Sequence, residues 1–200
     1  MEYYETEHLR DLVNNNGKIF ELEKDLEEED LLKVTKTDSY KDLMENFKNI
    51  SLQEVQIPDH YNSILRDYQK EGYRWLHTMH TYNFNGILAD DMGLGKTLQV
   101  ISLLDGLQPQ LPSIVVCPAS LIYNWEDEVH KFSNTMRVGC VVGSKAQRRQ
   151  IINHASEYDL LVTSYDYMRR DVSDYENLQF EYVILDEAQA IKNQKTKNAE

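Results

Sequence analysis

The stretch Gly86-Ile87-Leu88-Ala89-Asp90-Asp91-Met92-Gly93-Leu94-Gly95-Lys96-Thr97 constrains the fold more than any other part of this chain. An apolar run enters a glycine-rich loop, and Lys-Thr then opens a helix. A loop of this kind wraps phosphate with backbone N–H groups, and the helix that follows adds the positive end of its dipole. Gly93 and Gly95 allow positive φ or close backbone approach. Lys96 is spaced to reach the β- and γ-phosphates of a nucleotide, and the Thr97 hydroxyl to bind Mg²⁺. The cradle therefore spans Asp90, Asp91, Met92, Gly93, Leu94, Gly95, Lys96 and Thr97. The strict glycine pattern fails at its first position, where Asp90 stands. The alternative is a glycine-rich turn that only caps a helix, and the strand–loop–helix context weighs against it.

The rest of the chain repeats that alternation. Leu65 to His80 has helical spacing of apolar residues, and Asn85 to Ala89 reads as a short buried strand. Thr97–Leu107, Leu121–Phe132 and Lys145–Asn153 read as helices. Ser113–Cys117, Arg137–Val142, Asp159–Thr163 and Tyr182–Leu185 read as strands. Continuous apolar strands separated by helices predict βαβ crossovers: an α/β fold with a parallel sheet and helices on both faces.

Two further features fit the phosphate loop. Val183-Ile184-Leu185-Asp186-Glu187-Ala188-Gln189 is an apolar strand ending in two acids, 90 residues beyond Lys96. Asp186 is placed to hold Mg²⁺, directly or through water, and Glu187 to orient and polarise an attacking water. Asp186, Glu187 and Lys96 are thus the candidate catalytic residues, with Thr97 and Asp186 on the metal. Gln69, in Leu65-Arg66-Asp67-Tyr68-Gln69, lies 27 residues before Lys96. Its amide offers one donor and one acceptor, which suits adenine and favours ATP over GTP.

Together these residues resemble the Swi/Snf-type ATPases, the remodelling and translocase branch of helicase superfamily two. The resemblance covers about residues 57 to 200. It is carried by Leu65–Gln69, the Ala89–Thr97 loop, Cys117-Pro118-Ala119-Ser120-Leu121 with Asn124-Trp125, Thr163-Ser164-Tyr165, and Asp186 to Asn193. Asp90 in place of glycine is usual in that family. Gln189 stands where histidine is commoner, which leaves both acids intact but alters a position that normally faces later motifs. Asp91 replaces the commoner Glu.

The resemblance implies a RecA-like fold (a P-loop lobe), Mg·ATP hydrolysis, and tracking along double-stranded DNA without strand separation. It also places Pro118, Ala119, Ser120, Leu121, Thr163, Ser164 and Tyr165 on a DNA-facing edge. Hydroxyls and backbone amides there suit phosphate contacts that position without reading sequence. The alternative is that both stretches are ordinary strand-end turns. The family continues past the Asp-Glu-Ala-Gln motif with one more motif and a second RecA-like lobe, so the expectation is a first lobe truncated after that motif. Two rival functions remain. One is an RNA or DNA helicase of another superfamily-two branch, which strand displacement would reveal. The other is a non-enzymatic interaction module with a vestigial loop, against which Lys96, Thr97, Asp186 and Glu187 all argue.

The formal net charge of −13 is uncharacteristic of a nucleic-acid binder. It is unevenly spread: residues 1–60 hold 16 acidic and 7 basic side chains, so most of the acidity lies outside the motifs. Residues 1–56 read as an acidic, mostly helical extension, with Leu43, Phe47 and Ile50 packing on the lobe of residues 57–200. Arg148-Arg149 and Arg169-Arg170 read as solvated helix faces. His77 and His80, three apart, have no third metal ligand in view. Trp75 and Trp125 read as packing residues, and Cys117 and Cys140 as reduced thiols in strands. The chain has neither a secretory signal nor an apolar run of membrane-spanning length, so the expectation is a cytoplasmic protein without membrane contact.

Overall fold

The structure is a computed structural model that describes residues 55–91 and 93–191. They all belong to the second of the chain's two units, which begins at Ser51. The expectations for residues 1–54, for Met92 and for Lys192 onward lie outside the described residues.

Two helices precede the phosphate loop, α1 (Asp59–Ile64) and α2 (Asp67–Thr81), and α3 (Lys96–Leu107) follows it. Then come β1 (Ser113–Cys117), α4 (Ile122–Phe132), β2 (Val138–Cys140), α5 (Lys145–Asn153), β3 (Leu160–Ser164), α6 (Tyr165–Tyr175) and β4 (Val183–Leu185). The four strands form one sheet in the order β2-β3-β1-β4. Every pairing is parallel, with Val115 opposite both Val162 and Ile184. This is the parallel sheet with helices on both faces that the alternation predicts, a RecA-like α/β fold.

Side-chain alternation along the strands builds two cores. Val115, Cys117, Leu160 and Val162 pack against Ile101 and Leu104 of α3 and Ile122, Trp125 and Val129 of α4. On the other face Ile114 and Leu161 meet Ile152 of α5 and Tyr175 of α6. All five residues of β1 and of β3 are buried, the mark of strands covered on both faces. A third cluster, around Tyr61, Leu65, Tyr73, Leu98 and Leu103, fastens α1 and α2 to α3.

Two elements depart from the sequence reading. Asn85 to Ala89 forms no strand. Its apolar residues match a strand, but a strand needs a ladder partner, and among the described residues none pairs with it. Ile87 is accordingly 78% exposed. The second departure is α6, which the sequence reading passed over although Tyr165, Met168 and Tyr175 fall at helical spacing. Ser164 starts it by accepting a hydrogen bond from the Tyr167 N–H at 3.2 Å, a helix N-cap written in a residue read as a turn.

The arginine doublet of α5 also differs from expectation, in its first member. Arg148 is buried between α5 and α6, where its guanidinium grips Asp171 through Nε (2.5 Å) and Nη2 (2.8 Å). It lies over the Tyr167 ring, 4.4 Å from the centroid. Arg149 pairs with Asp174 at 3.3 Å. Arg148 therefore ties α5 to α6 from inside, whereas Arg149, its side chain 63% exposed, lies on a solvated face as expected. Cys117 is a buried free thiol and Cys140 a half-buried one.

Candidate nucleotide site and its carboxyl-edge surroundings

The carboxyl ends of three adjacent parallel strands, β3, β1 and β4, lead directly into Ser164-Tyr165, Pro118–Leu121 and Asp186-Glu187. Open α/β sheets bind ligands outside this edge. The loop before α3 completes the arrangement, because Ile101 and Leu104 anchor α3 in the core that also holds Val115, Cys117 and Ile184.

In the loop, Gly93 has φ +83° and Gly95 φ +75°, both left-handed. Gly95 is the residue immediately before α3. A Cβ on Gly95 would lie 2.5 Å from Gln69 Nε2, whereas one on Gly93 would meet nothing within 4 Å. Gly95 is thus required by its backbone, and a side chain there would also push the Gln69 amide aside, whereas Gly93 borders open space. The Lys96 ammonium donates to the main-chain oxygens of Asp90 (2.7 Å) and Asp91 (3.0 Å), holding it across the loop. Thr97 is half-buried in the first turn of α3.

Two residues of α2 fix the loop from the other side. Gln69 donates through Nε2 to the Leu94 carbonyl at 2.9 Å, and its Oε1 accepts from the Arg66 N–H at 3.0 Å. The Tyr68 hydroxyl donates to the same Leu94 carbonyl at 3.3 Å. Gln69 is buried, so the residue read as an adenine contact here holds the loop. From α3, Gln99 Nε2 donates to Asp90 Oδ2 at 3.2 Å. Gln99 is fully buried, with its other amide atom against Gly72, where a Cβ would approach to 1.8 Å. Sequence reasoning missed Tyr68 and Gln99; a glutamine two residues after the Lys-Thr pair, on the apolar face of a helix, was the available signal.

Asp186 is held at four points. Its N–H continues the ladder to Val116 O at 2.9 Å. Its Oδ1 accepts from the Glu187 N–H at 2.9 Å and its Oδ2 from Trp125 Nε1 at 2.8 Å. Its carbonyl accepts from the Tyr165 hydroxyl at 2.8 Å. Burial, with the Asp186 charge nearby, pushes the Tyr165 hydroxyl up to about 12, so it stays protonated and donating. The same two causes push the Cys117 thiol up to about 12. Glu187 has φ +51°, a left-handed conformation rare for a non-glycine residue. Its carboxylate accepts a hydrogen bond from the Gln189 amide. Trp125, read as a packing residue, both packs and donates; a buried indole N–H needs a partner, which is the cue that could have exposed it.

The candidate DNA-facing stretches differ in exposure. Ala119 and Ser120 are exposed, with Pro118 and Leu121 half-buried. Thr163, Ser164 and Tyr165 are buried. His80 is taken up by the Tyr182 hydroxyl, which donates or accepts according to the ring's tautomer. Among the described residues no group of three His, Cys, Asp or Glu side chains is placed to hold a metal. No helix among them is long and apolar enough to cross a membrane.

Residues 68–200 match the SNF2-related domain. The chain is 40% identical over 164 residues to human TATA-binding protein-associated factor 172, spanning 73% of this chain and 9% of that protein. It is 36% identical over 191 residues to an uncharacterised ATP-dependent helicase of Mycoplasma genitalium, spanning 94% of this chain and 17% of that one. Among solved structures it resembles the SWI2/SNF2 ATPase core of Sulfolobus solfataricus in complex with dsDNA. That likeness has a TM-score of 0.63 and 37% identity, and covers 72% of this chain and 31% of the other. The chain thus spans under a third of the proteins it matches. A glycine loop latched by Gln69, an acid pair at the end of β4, and a domain match running through both assign the chain to the SNF2-related family, to which it belongs.

Proposed function

We propose that this lobe binds Mg·ATP and that, in the whole protein, hydrolysis drives tracking along double-stranded DNA without strand separation. The observation that carries the proposal is the Lys96 ammonium held over a loop with two left-handed glycines at a helix N-terminus. Lys96 then exchanges the Asp90 and Asp91 carbonyls for phosphate oxygens, which bind an ammonium more strongly because they are charged. The oxygen donors Thr97 and Asp186 suit Mg²⁺, a hard cation that keeps several of its waters and neutralises phosphate charge. Glu187 orients and polarises the attacking water. Gln69 selects adenine with the lone pair and the second N–H its present bonds leave over.

Duplex DNA is the proposed partner, supported by the likeness to a core solved with dsDNA. Pro118–Leu121 offers it an exposed turn, and Thr163–Tyr165 shapes the neighbouring strand end. A second RecA-like lobe of the same protein is proposed to close the nucleotide cleft and supply charge-stabilising arginines. The test is Lys96→Ala: Mg·ATP binding, read by calorimetry, should disappear while the circular dichroism and melting curve stay as in the wild type. Equal ATP affinity in a folded Lys96→Ala protein would refute the phosphate assignment.

A further inference from the structure

Both carboxylate oxygens of Asp186 are hydrogen-bonded, and the two donors are not interchangeable. An indole N–H is a donor with no acceptor capacity, so Trp125 can satisfy itself only on an oxygen. Trp125 is 3% exposed, and among the described residues its indole N–H donates to Asp186 Oδ2 alone, at 2.8 Å. The Glu187 N–H takes Oδ1 at 2.9 Å. One donor on each oxygen fixes the carboxylate's rotation while leaving lone pairs on both oxygens. Trp125 is itself immobilised on α4 by the packing of Ile122 and Val129 against β1 and β3. The donor is thus held by a rigid element, not by a loop.

We propose that Trp125 is a positioning residue for the metal-binding carboxylate: it fixes the orientation in which Asp186 presents its oxygens to Mg²⁺. This rests on the reading of Asp186 as a metal ligand. The principle is general: donors that orient a ligating carboxylate tune the metal it holds, and their removal costs about 10–100-fold in metal affinity or activity. A ring serving only as core filler has no such effect, because phenylalanine fills most of the same space.

The experiment measures ATP affinity of the 200-residue chain with Mg²⁺ and with EDTA, and takes the ratio. Wild type, Trp125→Phe and Asp186→Asn are compared. Trp125→Phe should lower the Mg²⁺-dependent gain about tenfold while leaving metal-free ATP affinity as it is, and Asp186→Asn should lower it at least as far. If Asp186→Asn loses the gain and Trp125→Phe keeps it, Trp125 is packing alone and the inference fails. If Asp186→Asn keeps the gain, Asp186 is no metal ligand and the site assignment fails with it. Should Trp125→Phe not fold, a second measurement decides. The chain has two tryptophans, so Trp75→Phe leaves Trp125 as the sole indole emitter. Its emission should shift when Mg²⁺ is added with ATP and stay fixed with ATP and EDTA; an identical spectrum in both overturns the proposal.

Discussion

Glu187 combines the proposed role of water-orienting base with a left-handed backbone at φ +51°. That conformation costs a non-glycine residue about 1–2 kcal/mol, and strain of this kind persists where the surroundings over-determine it. Here Asp186 Oδ1, on the preceding residue, receives the Glu187 N–H. Two substitutions separate the chemical role from the structural cost. Glu187→Ala removes the carboxylate and keeps the strain; Glu187→Gly removes both. In urea denaturation Glu187→Gly should be more stable than Glu187→Ala by about 1 kcal/mol, and neither should turn over ATP in the whole protein. Equal stabilities would show that the left-handed geometry carries no cost. At this scale the sequence was most legible where a residue type has few uses. The placement of Gly95 and Lys96 at the start of α3 and of Asp186 at the end of β4 was readable because glycine-loop spacing and a strand-end acid narrow the options. Trp125 and Gln99 were not, since a buried aromatic or amide usually has a purely local explanation and the partner that gives it another lies far away in sequence.

The helices α5 and α6 are joined by the buried pair Arg148–Asp171, with side-chain exposures of 7% and 1%. Removing one partner of such a pair leaves an uncompensated charge and costs about 3–5 kcal/mol. Asp171→Ala should therefore lose stability on that scale in urea. The double substitution Arg148→Met with Asp171→Leu should recover most of it, because apolar packing replaces both charges at once. A double variant as unstable as Asp171→Ala would mean the helices need the ion pair itself. Elements were legible to the extent that their cause is local. β1 and α5 sit where the sequence reading places them, since a run of buried β-branched residues or the cap at Ser144, which accepts from the Gln147 N–H, fixes each without help. The strand expected at Asn85–Ala89 is absent because pairing is a tertiary event: the apolar run was readable, its missing partner was not. α6 was overlooked because its inward face of Tyr165, Met168 and Tyr175 is interrupted by Asp171, a charged residue whose burial only its distant partner Arg148 explains.

For the molecule as a whole, the net charge of −13 is concentrated in residues 1–60 rather than around the motifs. We expect duplex-DNA affinity at low salt to be unchanged on deleting residues 1–56, since charge runs are usually solvated faces. A clear rise, read by fluorescence anisotropy on a labelled duplex, would instead show that the acidic segment screens the DNA-facing surface. Among the described residues the sheet is asymmetric in another respect. β1 and β3 are fully buried, yet at the end of the strand order Val183 of β4 is 62% exposed and Leu185 44%. A strand edge of that kind offers backbone donors and acceptors to any extended segment that meets it. In a test tube the 200-residue chain should accordingly be a poor colloid, its light scattering rising with concentration and time, and Val183→Lys should keep it monodisperse without touching the nucleotide site.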